Sequence, residues 1–239
     1  MINDCNMIES HRIFGRLNKT RSLRRPNQYT TALLEDLNEH SFDEERAPLY
    51  KGLWRHTVFN VSDTTPLDLE IGTGNGTFFG YYADQNPERR LLGVEIKYKP
   101  LIQTIRGALR KNCCNAKVIR YHALALENIF EDQEINNIFV HFPDPWVSPR
   151  KPKNRLMQST VLNRLFELQR PNSFLRLKTD NYEYFQFALQ EIKSTPYKII
   201  ELTEDLHRSE FSENNFITQF ENIFSRQGVK INHVLLQKT

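Results

Sequence analysis

Apolar positions in this chain switch repeatedly between a strand period and a helix period. The run from Pro66 to Gly72, PLDLEIG, is short, apolar and closed by glycine, which predicts a buried strand. Phe78, Phe79, Tyr82 and Ala83 then share one helical face, and Pro87 ends that helix. LLGVEI (Leu91 to Ile96) predicts a second strand. Leu101, Ile102, Ile105, Ala108 and Leu109 follow at helical spacing. AKVIRYH at 116–122 and Ile135 to Phe142 predict a third and a fourth strand. Leu162, Leu165 and Phe166 mark a helix between Leu156 and Gln169, and Ser173 to Thr179 a fifth strand. Phe185, Ala188, Leu189 and Ile192 predict the next helix. YKIIEL and KINHVLL predict two closing strands, with no strong helical pattern between them and hence a hairpin at one sheet edge.

From residue 66 onward strand and helix alternate, which argues for an α/β fold: a mostly parallel, seven-stranded sheet with helices on both faces. In such sheets ligands bind at the carboxyl ends of the strands, near the point where strand order reverses. The organisation expected is a basic arm and lead-in over 1–60 and one domain over 61–239. Between Ser10 and Leu34 there is no acid, while Arg12, Arg16, Lys19, Arg21, Arg24 and Arg25 are basic. Such a block is either a solvated tail or an arm that touches phosphates.

Composition narrows the class further. With 39% hydrophobic and 26% charged residues, the 239-residue chain can bury a core and is not a disordered sequence. A net charge of +3 is too small by itself to imply a nucleic-acid partner. Cys5, Cys113 and Cys114 form neither a disulfide framework nor a metal-ligand spacing, so reduced thiols, no metal and a cytoplasmic location are expected. The polar start MINDCNMIES has no apolar stretch of the kind a secretion signal needs.

Three strand ends carry the chemistry. The first strand runs into Glu70-Ile-Gly72-Thr-Gly74-Asn-Gly76. Its third glycine comes one residue too early for the dinucleotide fingerprint, in which glycines cradle a pyrophosphate. The spacing E-x-G-x-G-x-G resembles motif I of S-adenosylmethionine-dependent methyltransferases. Glu95 ends the second strand, where a carboxylate can accept two bonds from ribose hydroxyls or can bond the local backbone. The fourth strand ends in Phe142-Pro143-Asp144-Pro145-Trp146. Two prolines clamp one acid, an indole follows, and then come Arg150, Lys151, Lys153 and Arg155.

Together these residues resemble the tRNA (guanine-N7-)-methyltransferases of the bacterial single-subunit type, from about residue 10 to the end of the chain. The resemblance rests on L-E-I-G-x-G-x-G, on G-V-E at 93–95, on F-P-D-P-W with basic residues after it, on T-D at 179–180 and on T-x-F-E at 218–221. It implies a class I, Rossmann-like methyltransferase fold, S-adenosyl-L-methionine as cofactor, tRNA as substrate and no obligatory second kind of subunit, the protein acting as monomer or homodimer. It also implies that the methyl group goes to N7 of a guanosine in the tRNA variable loop. Position by position, Glu70 and Glu95 match the cofactor-binding acids, with Gly72 and Gly74 between them, and Asp144 matches the active-site acid. Asp180, Thr218 and Glu221 match substrate contacts, and Arg150, Lys153 and Arg155 are candidates for the RNA approach.

Two positions depart from the family pattern. His122 stands where an acid beside the adenine is usual, and Ser148 where a lysine is usual. A tRNA-binding homologue with weak or lost activity, and a methyltransferase acting on another RNA, are therefore the alternative readings. Read without the resemblance, Asp180 suits a helix N-cap, Thr218 and Glu221 a capping box, and Trp146 a packing anchor.

Overall fold

The computed structural model describes residues 19–146 and 154–239. Eight strands form one sheet: β1 (Ser41–Phe42), β2 (Leu67–Ile71), β3 (Arg90–Val94), β4 (Ala116–Ile119), β5 (Ile138–His141), β6 (Phe174–Thr179), β7 (Lys198–Thr203) and β8 (Asn232–Gln237). Among the described residues six α-helices accompany them: α1 (Gln28–Leu34), α2 (Thr77–Gln85), α3 (Tyr98–Arg110), α4 (Ser159–Leu168), α5 (Tyr182–Ile192) and α6 (Gln219–Arg226). The strand order is β1-β4-β3-β2-β5-β6-β8-β7, and every pairing is parallel except those made by β8.

Alternation along the strands sorts the core into two layers. Leu67, Leu69 and Ile71 of β2 face the side covered by α4 and α5, where they pack with Leu162, Leu165, Phe185 and Ala188. On the other side Leu91, Ala116 and Val118 meet Phe79 and Ala83 of α2 and Leu101, Ile102 and Ile105 of α3. Each leucine, isoleucine, valine or phenylalanine among them, fully buried, contributes roughly 1.5–3 kcal/mol. The predicted strand and helix alternation is therefore present.

Three features differ from the sequence expectation. The sheet has an eighth strand, β1, whose two residues are too few to show a period. Within the stretch expected as a lead-in, residues 41–54 pack into the body. Phe42, Ala47 and Trp54 lie in the larger core layer, and the Trp54 indole donates to the Ile129 carbonyl at 2.7 Å. Finally, β7 and β8 do pair antiparallel, but β8 is inserted between β6 and β7, so β7 alone forms the edge. Residues 204–231 connect them and include α6, too long a link for a tight hairpin.

The order places β3 and β4 on one side of β2, and β5 and β6 on the other. The reversal point thus lies between β2 and β5, beneath the glycine loop and the Phe142–Trp146 segment.

Candidate functional site

Four acids sit at the carboxyl ends of four neighbouring strands: Glu95 after β3, Glu70 within β2, Asp144 after β5 and Asp180 after β6. Strand alternation turns Asp68 and Glu70 to the same face of β2, yet the two carboxylates are treated differently. Asp68 accepts from Arg89 (2.6 Å), from the Tyr82 hydroxyl (2.8 Å) and from the Asn137 amide (2.9 Å). Glu70 is fully buried, and its Oε2 has no partner among the described residues. The nearest polar atom recorded for Oε1 is Nδ1 of His141, at 3.8 Å. Burial pushes the Glu70 carboxyl well above the usual carboxylate range; Lys178 opposes that shift and Glu95 adds to it. An unsatisfied buried acid is costly, which is a physical reason to look for a cationic ligand there.

The loop above Glu70 has room for such a ligand. Gly72 has φ +80°, and a Cβ built on it would meet nothing within 4 Å. At Gly74 an added Cβ would lie 3.8 Å from the Phe220 ring. Gly76 is different. Its Cβ would come within 2.5 Å of the Thr104 Cα, so this glycine serves the close packing of α2 on α3. Glu95 has one carboxylate oxygen bonded by the Lys97 amide at 2.9 Å; the other makes no bond among the described residues. His122 accepts the Leu124 amide at Nδ1 (3.2 Å), which leaves the proton on Nε2. Burial holds its pKa below the usual histidine value, which favours the neutral ring.

Asp144 is exposed and held by a strained backbone. Phe142 and Trp146, flanking the Pro-Asp-Pro unit, adopt φ +52° and +42°, values that non-glycine residues rarely take. Two ties hold this shape. The Phe142 amide donates to the Lys178 carbonyl at 2.8 Å. Arg155 donates to the carbonyls of Pro145 (3.2 Å) and Trp146 (3.3 Å) while its guanidinium lies 4.4 Å from the Phe187 ring centre. Arg155, expected on the RNA approach, is thus engaged in bracing the loop. Trp146 is 36% exposed. Arg150 and Lys153 lie outside the described residues, as does Ser148.

Asp180 does not cap α5. The cap is its neighbour Asn181, whose side chain accepts the Tyr184 amide at 2.8 Å. Asp180 instead lines a cleft of about 380 Å³ with Tyr182, Glu204, Val229, Lys230 and Asn232, and burial raises its pKa.

Thr218 and Glu221 form the capping box of α6 in full. Beyond that, the buried Glu221 carboxylate accepts from Lys178 Nζ (2.6 Å), His207 Nε2 (2.7 Å), Asn215 Nδ2 (2.5 Å) and the Thr218 amide (3.3 Å). Four donors occupy its lone pairs, so in this arrangement the carboxylate ties α6 to β6 and to the 207–215 segment. Lys178 in turn spends all three protons on Glu221, Asn215 (3.0 Å) and the Phe216 carbonyl (2.8 Å). Sequence reading missed Lys178, His141 and His207. One signal was available: Arg176 and Lys178 alternate within a strand expected to be covered on both faces.

The basic arm also divides. Thr20 is buried and its hydroxyl donates to Glu44 at 2.8 Å, while Arg21 pairs with Asp43 at 2.9 Å. Arg24 and Arg25 are exposed, with no ion pair among the described residues.

A mostly parallel sheet with an inserted antiparallel strand, and an acid-rimmed glycine loop at its reversal point, define a class I S-adenosylmethionine-dependent methyltransferase. The family model described as "Putative methyltransferase" matches residues 64–234. A tRNA (guanine-N(7)-)-methyltransferase of Bdellovibrio bacteriovorus is 52% identical over 198 residues, covering 83% of this chain and 95% of that protein. One of the same description from Brevibacillus brevis is 30% identical over 83% of this chain and 91% of its own length. The chain therefore belongs to the tRNA (guanine-N7-)-methyltransferase family. Among solved structures, the 16S rRNA methyltransferase KamB shares the fold with a TM-score of 0.54 at 13% identity, over 73% of this chain and 88% of that one. A SAM-dependent methyltransferase of Aquifex aeolicus does so with a TM-score of 0.50 at 12% identity, over 72% and 81%. Among the described residues no helix is long and apolar enough to cross a membrane.

Proposed function

We propose that this protein methylates N7 of a guanosine in the variable loop of tRNA, with S-adenosylmethionine as methyl donor. The observation that carries the reading is the partnerless buried carboxylate of Glu70 beneath an open glycine loop, one of four acids on the same rim. When bound, S-adenosylmethionine supplies a methyl group made electrophilic by a cationic sulfur. Glu70 would hold its amino-acid portion, Gly72 and Gly74 would let the backbone approach, and Glu95 would accept from the ribose hydroxyls. His122 presents an N–H donor where relatives carry an acceptor, so it would meet a ring nitrogen of adenine instead of the exocyclic amine.

Guanine N7 already carries an available lone pair, so no base has to remove a proton. The protein's work is alignment, which can supply roughly 7–11 kcal/mol, and stabilisation of the charge arriving on the guanine ring. Asp144, fixed between two prolines at the reversal point, is the residue for that charge. Asp180 would take the guanine edge. Arg24 and Arg25, together with the basic residues at 150–153, would supply phosphate contacts, which position RNA without reading sequence. Selection would then rest on tRNA shape and the acid-lined cleft.

A transcript in which 7-deazaguanosine replaces guanosine tests the chemistry. It should bind with nearly unchanged affinity and accept no methyl group, whereas the unsubstituted tRNA is methylated. Transfer to the deaza transcript would contradict attack by N7. Binding of both transcripts with transfer to neither would favour the tRNA-binding reading.

A further inference from the structure

His141 ends β5, in register with Lys178 of β6 and on the same face as Glu70. Its side chain is buried, and neither ring nitrogen has a partner among the described residues. The ring sits edge-on against Phe78, with centroids 4.4 Å apart. Glu70 and His141 thus form an isolated acid–imidazole pair, 3.8 Å apart, with three unsatisfied polar atoms between them. Two ionised forms are disfavoured for different reasons. Burial disfavours a lone carboxylate on Glu70. Burial, with Lys178, Arg176 and His233 nearby, disfavours a lone imidazolium on His141.

We propose that His141 is a positioning residue acting through Glu70: the pair carries one proton, and docking of the cofactor's α-ammonium at Glu70 expels that proton to solvent. The balance is simple. An acid–imidazole pair carrying one proton and a ligand carrying an ammonium group become a carboxylate–ammonium contact, a neutral imidazole and one free proton. The other groups facing Glu70 do not absorb the proton. Lys178 is already saturated by Glu221, Asn215 and Phe216; Glu95, at the end of the adjacent strand, makes no hydrogen bond to Glu70 and is bonded by the Lys97 amide; Phe78 is apolar. Around His141, Arg176 and Lys178 are cations, and His233 is bonded to Glu201 at 2.8 Å. The proton is therefore the balancing charge that lets a buried carboxylate wait for a cation.

This inference rests on S-adenosylmethionine binding at Glu70, and the experiment separates the two claims. Calorimetric titration of the whole protein at pH 6.5, in buffers of different ionisation heat, counts protons exchanged on binding. At that pH the ligand's own α-amino group, with a pKa of about 7.7–8.0, is already protonated. S-adenosylmethionine should release about one proton per site, and methylthioadenosine, which lacks the amino-acid portion, should bind and release none. Glu70→Gln should abolish the release. His141→Phe keeps the ring packing but removes the polar imidazole that stands 3.8 Å from the protonated acid. In that variant release should persist with its midpoint moved to lower pH. Binding of S-adenosylmethionine without proton release, or equal release from both ligands, would overturn the proposal while leaving the cofactor reading intact. An unmoved or raised midpoint in His141→Phe would remove His141 from it. Failure of both ligands to bind would instead overturn the cofactor reading.

Discussion

Replacing Glu221 by alanine should destabilise this protein more than most single substitutions do. The change strands the Lys178 ammonium, which is 2% exposed, after removing its charged partner at 2.6 Å. Breaking a buried ion pair from one side costs about 3–5 kcal/mol. The same substitution also removes the bond from the Thr218 amide, the half of the α6 capping box that Glu221 supplies, worth about 1 kcal/mol more. With a urea dependence of about 3 kcal/mol per molar for a chain of this size, a loss of about 4–6 kcal/mol lowers the unfolding midpoint by about 1.3–2 M. The double variant Lys178→Met with Glu221→Leu removes both charges and should recover at least half of that loss. Lys178 and the other donors keep the Glu221 carboxyl ionised, below its usual pKa of 4.5, against the opposing effect of burial. Its stabilising contribution is therefore complete above pH 4.5 and lost as the pH falls through the lower folded value. Urea titrations of the wild type and Glu221→Gln between pH 6 and pH 3 should show a shallower fall in the variant. A midpoint change under 0.3 M (about 1 kcal/mol) in Glu221→Ala, accompanied by lost methyl transfer, would refute the reasoning and restore Glu221 as a direct substrate contact.

Further outcomes are expected at the rim and the arm. Asp144→Ala should lower methyl transfer by about 10²–10³-fold with cofactor affinity nearly unchanged, as single-turnover rates and cofactor titration will show. Arg155→Met unties two carbonyls of the strained Pro145–Trp146 segment. The maximal rate should fall while the thermal midpoint moves by only a few degrees. A parallel loss of cofactor binding would contradict a role confined to that loop. Reversing Arg24 and Arg25 to glutamate should weaken tRNA binding and reduce its salt slope by about two phosphate contacts. Arg21→Glu, which loses a pair to Asp43, should instead act on stability, measured by melting.

What could be foreseen from the sequence was what local chemistry controls. The apolar run of β2 and the helical stripe of α3 announce themselves because burial on a regular element repeats at its period. Glycine after β2 and the two prolines around Asp144 constrain backbone wherever they stand, so the rim was visible before the fold. α6 was not, for a physical reason. It turns Glu221 inward and leaves Phe220 and Ile223 half exposed, the reverse of an ordinary amphipathic helix. The roles of the carboxylates were equally hidden, because they depend on partners far away in the chain. Lys178 and Glu221 are 43 positions apart, and nothing around either one names the other. Asp180 and Asn181 are equally suited to capping, and only the backbone path at the end of β6 gives the task to Asn181.

The central claim is tested most directly by incubating the protein with unmodified tRNA and S-adenosylmethionine labelled in its methyl group, then digesting the RNA to nucleosides. The label should appear in 7-methylguanosine and map to a single position in the variable loop. Label in any other nucleoside, or none in RNA that the protein demonstrably binds, would contradict the account.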